Sequence, residues 1–312
     1  MLNYLITGAS GLVAKEVIKM LLKQPQDINI FCQSRSKKIP AHLHQYKNNF
    51  EWINCSLSKP LPKNLVNKIN IIYHLSAQTS VYKARDELNN DLNTNFYEGI
   101  QLLKSFKKTD VTFILAGSAT QIGYSSGKVL KNTKSNPETF YDLHKTLLEM
   151  YLNQYVKEKW IKGCTLKLAN VYGARLASQS ADRGVLDKIF LKAKNNEEIQ
   201  IFGGDFYRDY IHIEDVANAF LSASKNINKS NGKSYFIATG SSIKLKDAFS
   251  MIIKIASKKY STNPSIVFRD MPENFYKQES RSVRYNIDKS IKDLNWRPSI
   301  NFIDGMNKTY NE

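Results

Sequence analysis

Short apolar runs alternate with amphipathic stretches through the first half of the chain. Tyr4–Thr7, Ile28–Cys32, Phe50–Asn54, Asn70–Leu75, Val111–Ala116 and Gly163–Leu168 have the length and character of buried strands. Between them the spacing turns helical. In Ala14–Lys23 the residues Val17, Ile18, Leu21 and Leu22 share one helical face, and Asn93–Phe106 and Glu138–Lys157 are longer and amphipathic. Buried strands separated by helices predict an α/β fold, a doubly wound parallel sheet with helices on its faces. After Gly173 the alternation loosens. A polar loop, Ala177–Gly184, precedes a predicted helix, Val185–Lys194, and then come an apolar run, Ile199–Phe202, and a glycine pair, Gly203-Gly204. A helix is expected over Asp215–Ser224, and Ser234–Ala238 reads as a strand returning to the main sheet. The remainder, to Glu312, reads as a mixture of short helices and strands. The expected organisation is a sheet domain over residues 1–172, with a returning strand near 233–239, and a smaller mixed α/β lobe over 173–312.

Bulk composition changes this picture little. The chain has 312 residues and is 42% hydrophobic, enough for one large core and a smaller one. No apolar stretch approaches the ~20 residues that span a bilayer. The N-terminus enters a strand directly, without the features of a signal peptide, so a cytoplasmic location is expected. Cys32, Cys55 and Cys164 lack metal-ligand spacing and read as reduced core or strand-end residues, so no metal is expected. The formal net charge is +17. A field of that sign suits an anionic partner. The lysines, however, are scattered and form no run of five, the pattern of solvated faces. The expectation is no nucleic-acid partner and no membrane, with a field that still draws in a diphosphate.

Three constellations carry chemistry. In Thr7-Gly8-Ala9-Ser10-Gly11-Leu12-Val13-Ala14 the spacing is Gly-x-x-Gly-x-x-Ala, where a strand turns into a helix. Gly8 permits the tight turn, Gly11 lets a pyrophosphate approach the backbone, and Ala14 is small enough for helix-on-strand packing. At the end of the second strand, where an acidic residue would grip the ribose of NAD, stand Cys32 and then Gln33-Ser34-Arg35-Ser36. Ser34 and Arg35 could hold a 2′-phosphate, so NADP is slightly favoured over NAD.

The third constellation is Tyr141-Asp142-Leu143-His144-Lys145, with Ser118 upstream at the end of a buried run. Tyr141 and Lys145 lie one helical turn apart on a common face. The ammonium can lower the phenol's pKa and make it a base near neutral pH. Tyr141 would exchange the proton of a substrate hydroxyl, Lys145 would also hold the nicotinamide ribose, and Ser118 would position the substrate oxygen and stabilise charge on it. His144 falls on another face and reads as an exposed residue without a role.

With these residues in place the chain resembles the extended short-chain dehydrogenases/reductases, in particular the NAD-dependent epimerase/dehydratase group that acts on nucleotide sugars. The landmarks are Thr7–Ala14, Tyr73-His74-Leu75-Ser76-Ala77-Gln78, Asn95, Ser118-Ala119-Thr120, Tyr141/Lys145, Asn170-Val171-Tyr172-Gly173, Arg208-Asp209-Tyr210-Ile211-His212 with Asp215-Val216, and Leu294-Asn295-Trp296-Arg297-Pro298. They run along nearly the whole chain. The resemblance implies a Rossmann-type dinucleotide-binding domain. Its cofactor site would use Gly8, Ser10, Gly11, Leu12, Cys32, Ser34, Arg35, Leu57, Leu75, Ala77 and Lys145. It implies a nucleoside-diphosphate-sugar substrate touched by Thr79, Ser118, Thr120, Asn170, Arg208, Tyr210 and Arg281, with Arg208 and Arg281 clamping the diphosphate. It also implies a homodimer, paired through a four-helix bundle built from Asn93–Phe106 and Glu138–Lys157.

The departures narrow the expectation. Ala14 replaces a glycine, Cys32 an aspartate, Ile122 a tyrosine, and Ser56 an aspartate that faces adenine in relatives. Ala119-Thr120 stands where the 4,6-dehydratases of the family place Asp-Glu, which argues against a dehydratase. The first expectation is hydride transfer at C4 of the sugar by a 4-dehydrogenase or 4-ketoreductase, because a weakened cofactor grip suits an enzyme that exchanges its nicotinamide. The second is a 4-epimerase of the UDP-galactose 4-epimerase kind. A non-catalytic nucleotide- or RNA-binding relative is the remote third, opposed by the intact Ser118, Tyr141 and Lys145. Sugar, nucleobase and hydride direction stay open, and polysaccharide biosynthesis is the setting the resemblance suggests.

Overall fold

In the computed structural model, seven parallel strands form one sheet: β1 (Leu2–Thr7), β2 (Ile28–Ser34), β3 (Glu51–Asn54), β4 (Ile71–His74), β5 (Thr112–Ser118), β6 (Lys162–Leu168) and β7 (Ser234–Ile237), in the order β7-β6-β5-β4-β1-β2-β3. The structure describes all residues except 26, 125, 131, 174–183, 274, 311 and 312. The predicted loop Ala177–Gly184 therefore lies, but for Gly184, outside the described residues. The fold is a Rossmann-type α/β fold.

Alternation along each strand divides the core between the two faces. Ile6, Tyr73, Ile114 and Cys164 point to one side, under the helices Leu12–Leu21 and Ile213–Lys225. Leu5, Ile72, Phe113 and Leu115 point to the other, against Glu98–Ser105 and Phe140–Lys157. A third core belongs to the C-terminal lobe, where Val185–Lys194 packs on Leu245–Tyr260 beside the pair Ile199–Phe202 and Ile266–Arg269. Leu245–Tyr260 has 16 residues, longer than the short elements expected there, because its inward face (Ala248, Phe249, Ile252, Ala256) supplies much of that core.

Element ends shift where hydrogen bonding overrides pattern. The long helix begins at Phe140 because the Thr139 side chain caps it, accepting from the Asp142 N–H. The stretch expected as one helix over Asn93–Phe106 opens with a π turn, Asn93–Tyr97, and becomes regular over Glu98–Ser105. The Trp296 landmark proves to be a lock. Its indole donates to the Asp215 carbonyl at 3.0 Å, and the Asp215 carboxylate accepts from the backbone of Ser299 and Ile300 and from the Ser299 hydroxyl. This ties the C-terminal segment to the helix Ile213–Lys225.

Candidate active site

All strands are parallel, so their carboxyl ends share one edge. The order reverses between β4 and β1, the switch point at which open parallel sheets hold their ligands. Gly8 sits there in the left-handed region, φ +65°. A Cβ at Gly8 would lie 2.6 Å from the Ser76 backbone, so only glycine lets the loops after β1 and β4 approach so closely. Ser10 and Gly11 are exposed at the start of the helix Leu12–Leu21, whose N-terminus has no side-chain cap. Its first N–H groups are available to an anion, and Leu12 follows them half-buried. Ala14 is buried in the core between helix and sheet.

Gln33, passed over in the sequence, braces this loop. Its side chain accepts from the Gly8 N–H at 3.3 Å and donates to the Cys55 carbonyl at 2.7 Å, while its carbonyl accepts from the Ala9 N–H at 2.9 Å. A polar residue directly after an apolar run was the available signal. Cys32 is fully buried, and burial pushes its thiol pKa up. β2 continues past it to Ser34, also buried, whose hydroxyl accepts from the Ser36 N–H at 3.1 Å. Arg35 is the first exposed side chain. Leu57 is buried under the sheet, Leu75 and Ala77 are half-buried on the loop after β4, and Thr79 is exposed on it. The glycine turn, uncapped helix and polar end of β2 fit a dinucleotide.

Ser118 ends β5, and Tyr141 and Lys145 occupy the first turns of the adjacent helix; all three are buried. Tyr141 packs against Val81 and Ala84, with Tyr82 and, from the C-terminal lobe, Tyr276 against them. Burial lowers the Lys145 pKa to about 8, with Asp91 opposing the shift through its negative charge. The Ser118 hydroxyl lies 2.6 Å from that of Thr120, which donates to Asp142. Ser118 also begins a tight turn as half of a capping box, its N–H donating to the Gln121 side chain at 2.7 Å.

His144 is not exposed. It is 4% accessible, and its Nδ1 lies 2.6 Å from Asp91, which has no exposed surface. Gln78 and Asn95 also donate to Asp91, at 2.8 and 2.6 Å, and Asn95 reaches back to the Gln78 carbonyl at 2.8 Å. The π turn carries Asn95 into this network. The adjacent helical segment 88–97 packs on the helix Phe140–Lys157 and covers His144, which helical spacing alone left facing outward. Nearby, His74 lies 2.7 Å from the Thr7 hydroxyl, and burial drops its pKa to about 3, so it is neutral at any working pH.

The C-terminal lobe adds the basic side. Asn170–Tyr172 pairs in parallel with Tyr210–His212, setting Asn170 opposite Tyr210, and the Asn170 amide donates to the Asp209 carbonyl at 3.1 Å. Arg208 and Arg281 are both buried and close enough for Arg281 to help burial lower the Arg208 pKa to about 10. Arg208 donates to the carbonyls of Tyr207, Glu279 and Arg281. It therefore holds the strand end against the segment that carries Arg281. A cavity of about 270 Å³ is lined by Arg208 and Tyr210 together with Ser241 and Phe302; Ser118, Tyr141 and Lys145 do not line it.

A parallel sheet with a glycine turn at its switch point, and a buried Tyr/Lys pair beside a serine at the end of β5, define a dinucleotide-binding α/β protein. The profile of the NAD dependent epimerase/dehydratase family matches residues 4–238, and the chain belongs to that family, whose cofactor is NAD. It is 25% identical over 313 residues to dTDP-4-dehydro-6-deoxyglucose reductase of Escherichia coli, covering 97% of this chain and 95% of that protein. It is 24% identical over 316 residues to UDP-glucose 4-epimerase of Mycolicibacterium smegmatis, covering 98% and 96%. A crystal structure of UDP-glucuronic acid 4-epimerase from Bacillus cereus in complex with UDP-glucuronic acid and NAD has a TM-score of 0.87 at 20% identity, covering 99% of this chain and 98% of that one. Among the described residues, no helix is long and apolar enough to cross a membrane.

Proposed function

We propose that the protein is a nicotinamide-dependent oxidoreductase acting at C4 of a nucleoside-diphosphate sugar, as a 4-ketoreductase or 4-dehydrogenase. One observation carries this: Tyr141 and Lys145 are buried on one helix beside Ser118, with Lys145 drawn down to about 8 by burial. Bound nicotinamide would supply the hydride acceptor or donor. Tyr141 takes or returns the proton of the C4 hydroxyl, and Lys145 keeps the phenol acidic and holds the cofactor ribose. Ser118 positions the substrate oxygen. Thr79, Thr120, Asn170 and Tyr210 line the sugar's approach, and the paired guanidinium groups of Arg208 and Arg281 give the diphosphate a positive anchor.

Gly8, Ser10, Gly11 and Leu12 would hold the pyrophosphate, with Leu75 and Ala77 beside the nicotinamide and Leu57 toward the adenine. Exposed Arg35, beside Ser34, favours NADP over NAD. Ala119-Thr120 offers no acid–base pair for water elimination, so the protein is not a 4,6-dehydratase. The sheet domain over 1–172, with the strand near 233–239, binds the cofactor, and residues 173–312 mainly bind the substrate. Exposed Leu88, Leu92 and Tyr97, and exposed Leu143, Met150 and Tyr151, stand on helical segments that pack against each other, and such apolar exposure suits a four-helix-bundle homodimer. Free Cys32, Cys55 and Cys164 suit a reducing, cytoplasmic setting.

The second reading is a nucleotide-sugar 4-epimerase, favoured by the epimerases among the similar proteins. Purified protein is incubated with UDP-glucose and with dTDP-4-keto-6-deoxyglucose while nicotinamide absorbance is followed. Net oxidation or reduction of added cofactor supports the first reading; C4 inversion without net change supports the second. Neither change with any nucleotide sugar overturns both.

A further inference from the structure

Asp142, next to Tyr141 in the chain, has no exposed surface, yet it forms no part of the Tyr/Lys mechanism. One carboxylate oxygen accepts from the Thr139 hydroxyl at 2.7 Å. The other accepts from the Thr120 hydroxyl, and Thr120 in turn lies 2.6 Å from the Ser118 hydroxyl. An ionised carboxylate can only accept, and each hydroxyl has one proton. With the Thr120 proton committed to Asp142, the Ser118–Thr120 contact must use the Ser118 proton. Ser118 then meets the substrate with lone pairs. In that state it accepts from a carbinol and has nothing to donate to a carbonyl.

We propose that Asp142 is a positioning residue that sets the direction of the Ser118–Thr120–Asp142 relay, so that the bound alcohol is favoured over the bound ketone. The proposal rests on the hydride-transfer reading. It concerns the equilibrium on the enzyme between alcohol with oxidised cofactor and ketone with reduced cofactor. Substrate equilibrium in solution does not constrain that ratio, so a side chain can move it. A merely structural role would lower rates without shifting it. In Asp142→Asn the amide can donate to Thr120, which reverses the chain and turns the Ser118 proton toward the substrate. Thr120→Val releases the same proton by removing its acceptor.

The test saturates cofactor-loaded protein with UDP-glucose, or with dTDP-4-keto-6-deoxyglucose if only that turns over, and measures the fraction of bound nicotinamide that is reduced. Both variants should raise the reduced-to-oxidised ratio by about three- to tenfold over wild type, the effect of one hydrogen bond. An unchanged or lowered ratio in turning-over variants overturns the proposal. The relay is also read without turnover, from thermal unfolding of Thr120→Val, Asp142→Ala and their double. Thr120→Val should cost more stability with Asp142 present than in the Asp142→Ala background, which has no side-chain acceptor for the Thr120 proton at that position, and simple additivity overturns the relay. Absence of hydride transfer in wild type would defeat the functional reading, while the unfolding cycle would still decide the relay.

Discussion

The helix Phe140–Lys157 sets two buried lysines, Lys145 and Lys167, in different surroundings. At its second turn Lys145 has no carboxylate within ion-pair distance among the described residues; Asp91, the nearest influence, is itself occupied by His144, Gln78 and Asn95. Further along, Glu149 lies 3.2 Å from Lys167 and also accepts from Gln121 and from the Ser234 hydroxyl. Lys167 in addition donates to Ser135 at 2.8 Å. This second cluster joins β5's following turn, β6 and β7 to the helix with its charges mutually satisfied. The first leaves an ammonium buried and only partly compensated, so its proton is loosely held. One lysine is held by charged and polar partners, while the other stays buried and poorly compensated, the state expected of a group used in chemistry.

Substitutions should separate the two. The largest effect expected is on the chemical step: Tyr141→Phe should lower kcat by about 10²- to 10⁴-fold with little change in unfolding temperature, measured by nicotinamide absorbance and calorimetry. Turnover of the true substrate at the wild-type rate would remove the catalytic assignment. Lys167→Met should do the reverse, costing about 3–5 kcal/mol in urea unfolding because Glu149 is left charged and buried, while the folded fraction keeps its kcat.

Lys145 sharpens the contrast through pH. Its folded pKa, about 8, lies below its ordinary value of 10.5, so between these limits the unfolded chain binds more protons and stability rises with pH. Lys145→Met should therefore unfold at a higher temperature than wild type near pH 7, by up to about 3 kcal/mol, and lose that advantage as pH climbs past 8 toward 10.5. Wild-type kcat should fall over the same rise, because the proposed partner of Tyr141 loses its positive charge. A stability gap that stays constant from pH 7 to 10 would mean that the burial cost is absent. The smallest effect belongs to the rim. Arg35→Ser should shift the ratio of kcat/KM for NADP over NAD by about tenfold toward NAD, and an unchanged ratio would show that this exposed arginine does not read the 2′-phosphate.

Legibility followed the range of the interaction. The placement of Gly8 in a turn and of Tyr141 and Lys145 on one helix could be read because strand, turn and helix periods are local. Ser118 could be read because it closes a buried run. Ser234–Ile237 showed its strand character locally, though its place beside β6 needed the tertiary structure. His144 was misread because helical spacing names a face but not what covers it, and the cover comes from Asp91, 53 residues away. Gln33, Asp142 and Glu149 each lay in plain view as polar residues. What they touch is brought to them by the sheet.

By itself the sequence determined the α/β alternation, the glycine turn and the Tyr/Lys spacing, because these depend on backbone geometry within a few residues. Tertiary structure decided which charges are compensated and which are not, and with them the state of Lys145 and the direction of the serine's proton. Burial and partnership depend on contacts between segments far apart in the chain, and desolvation acts on a group only once those segments have met.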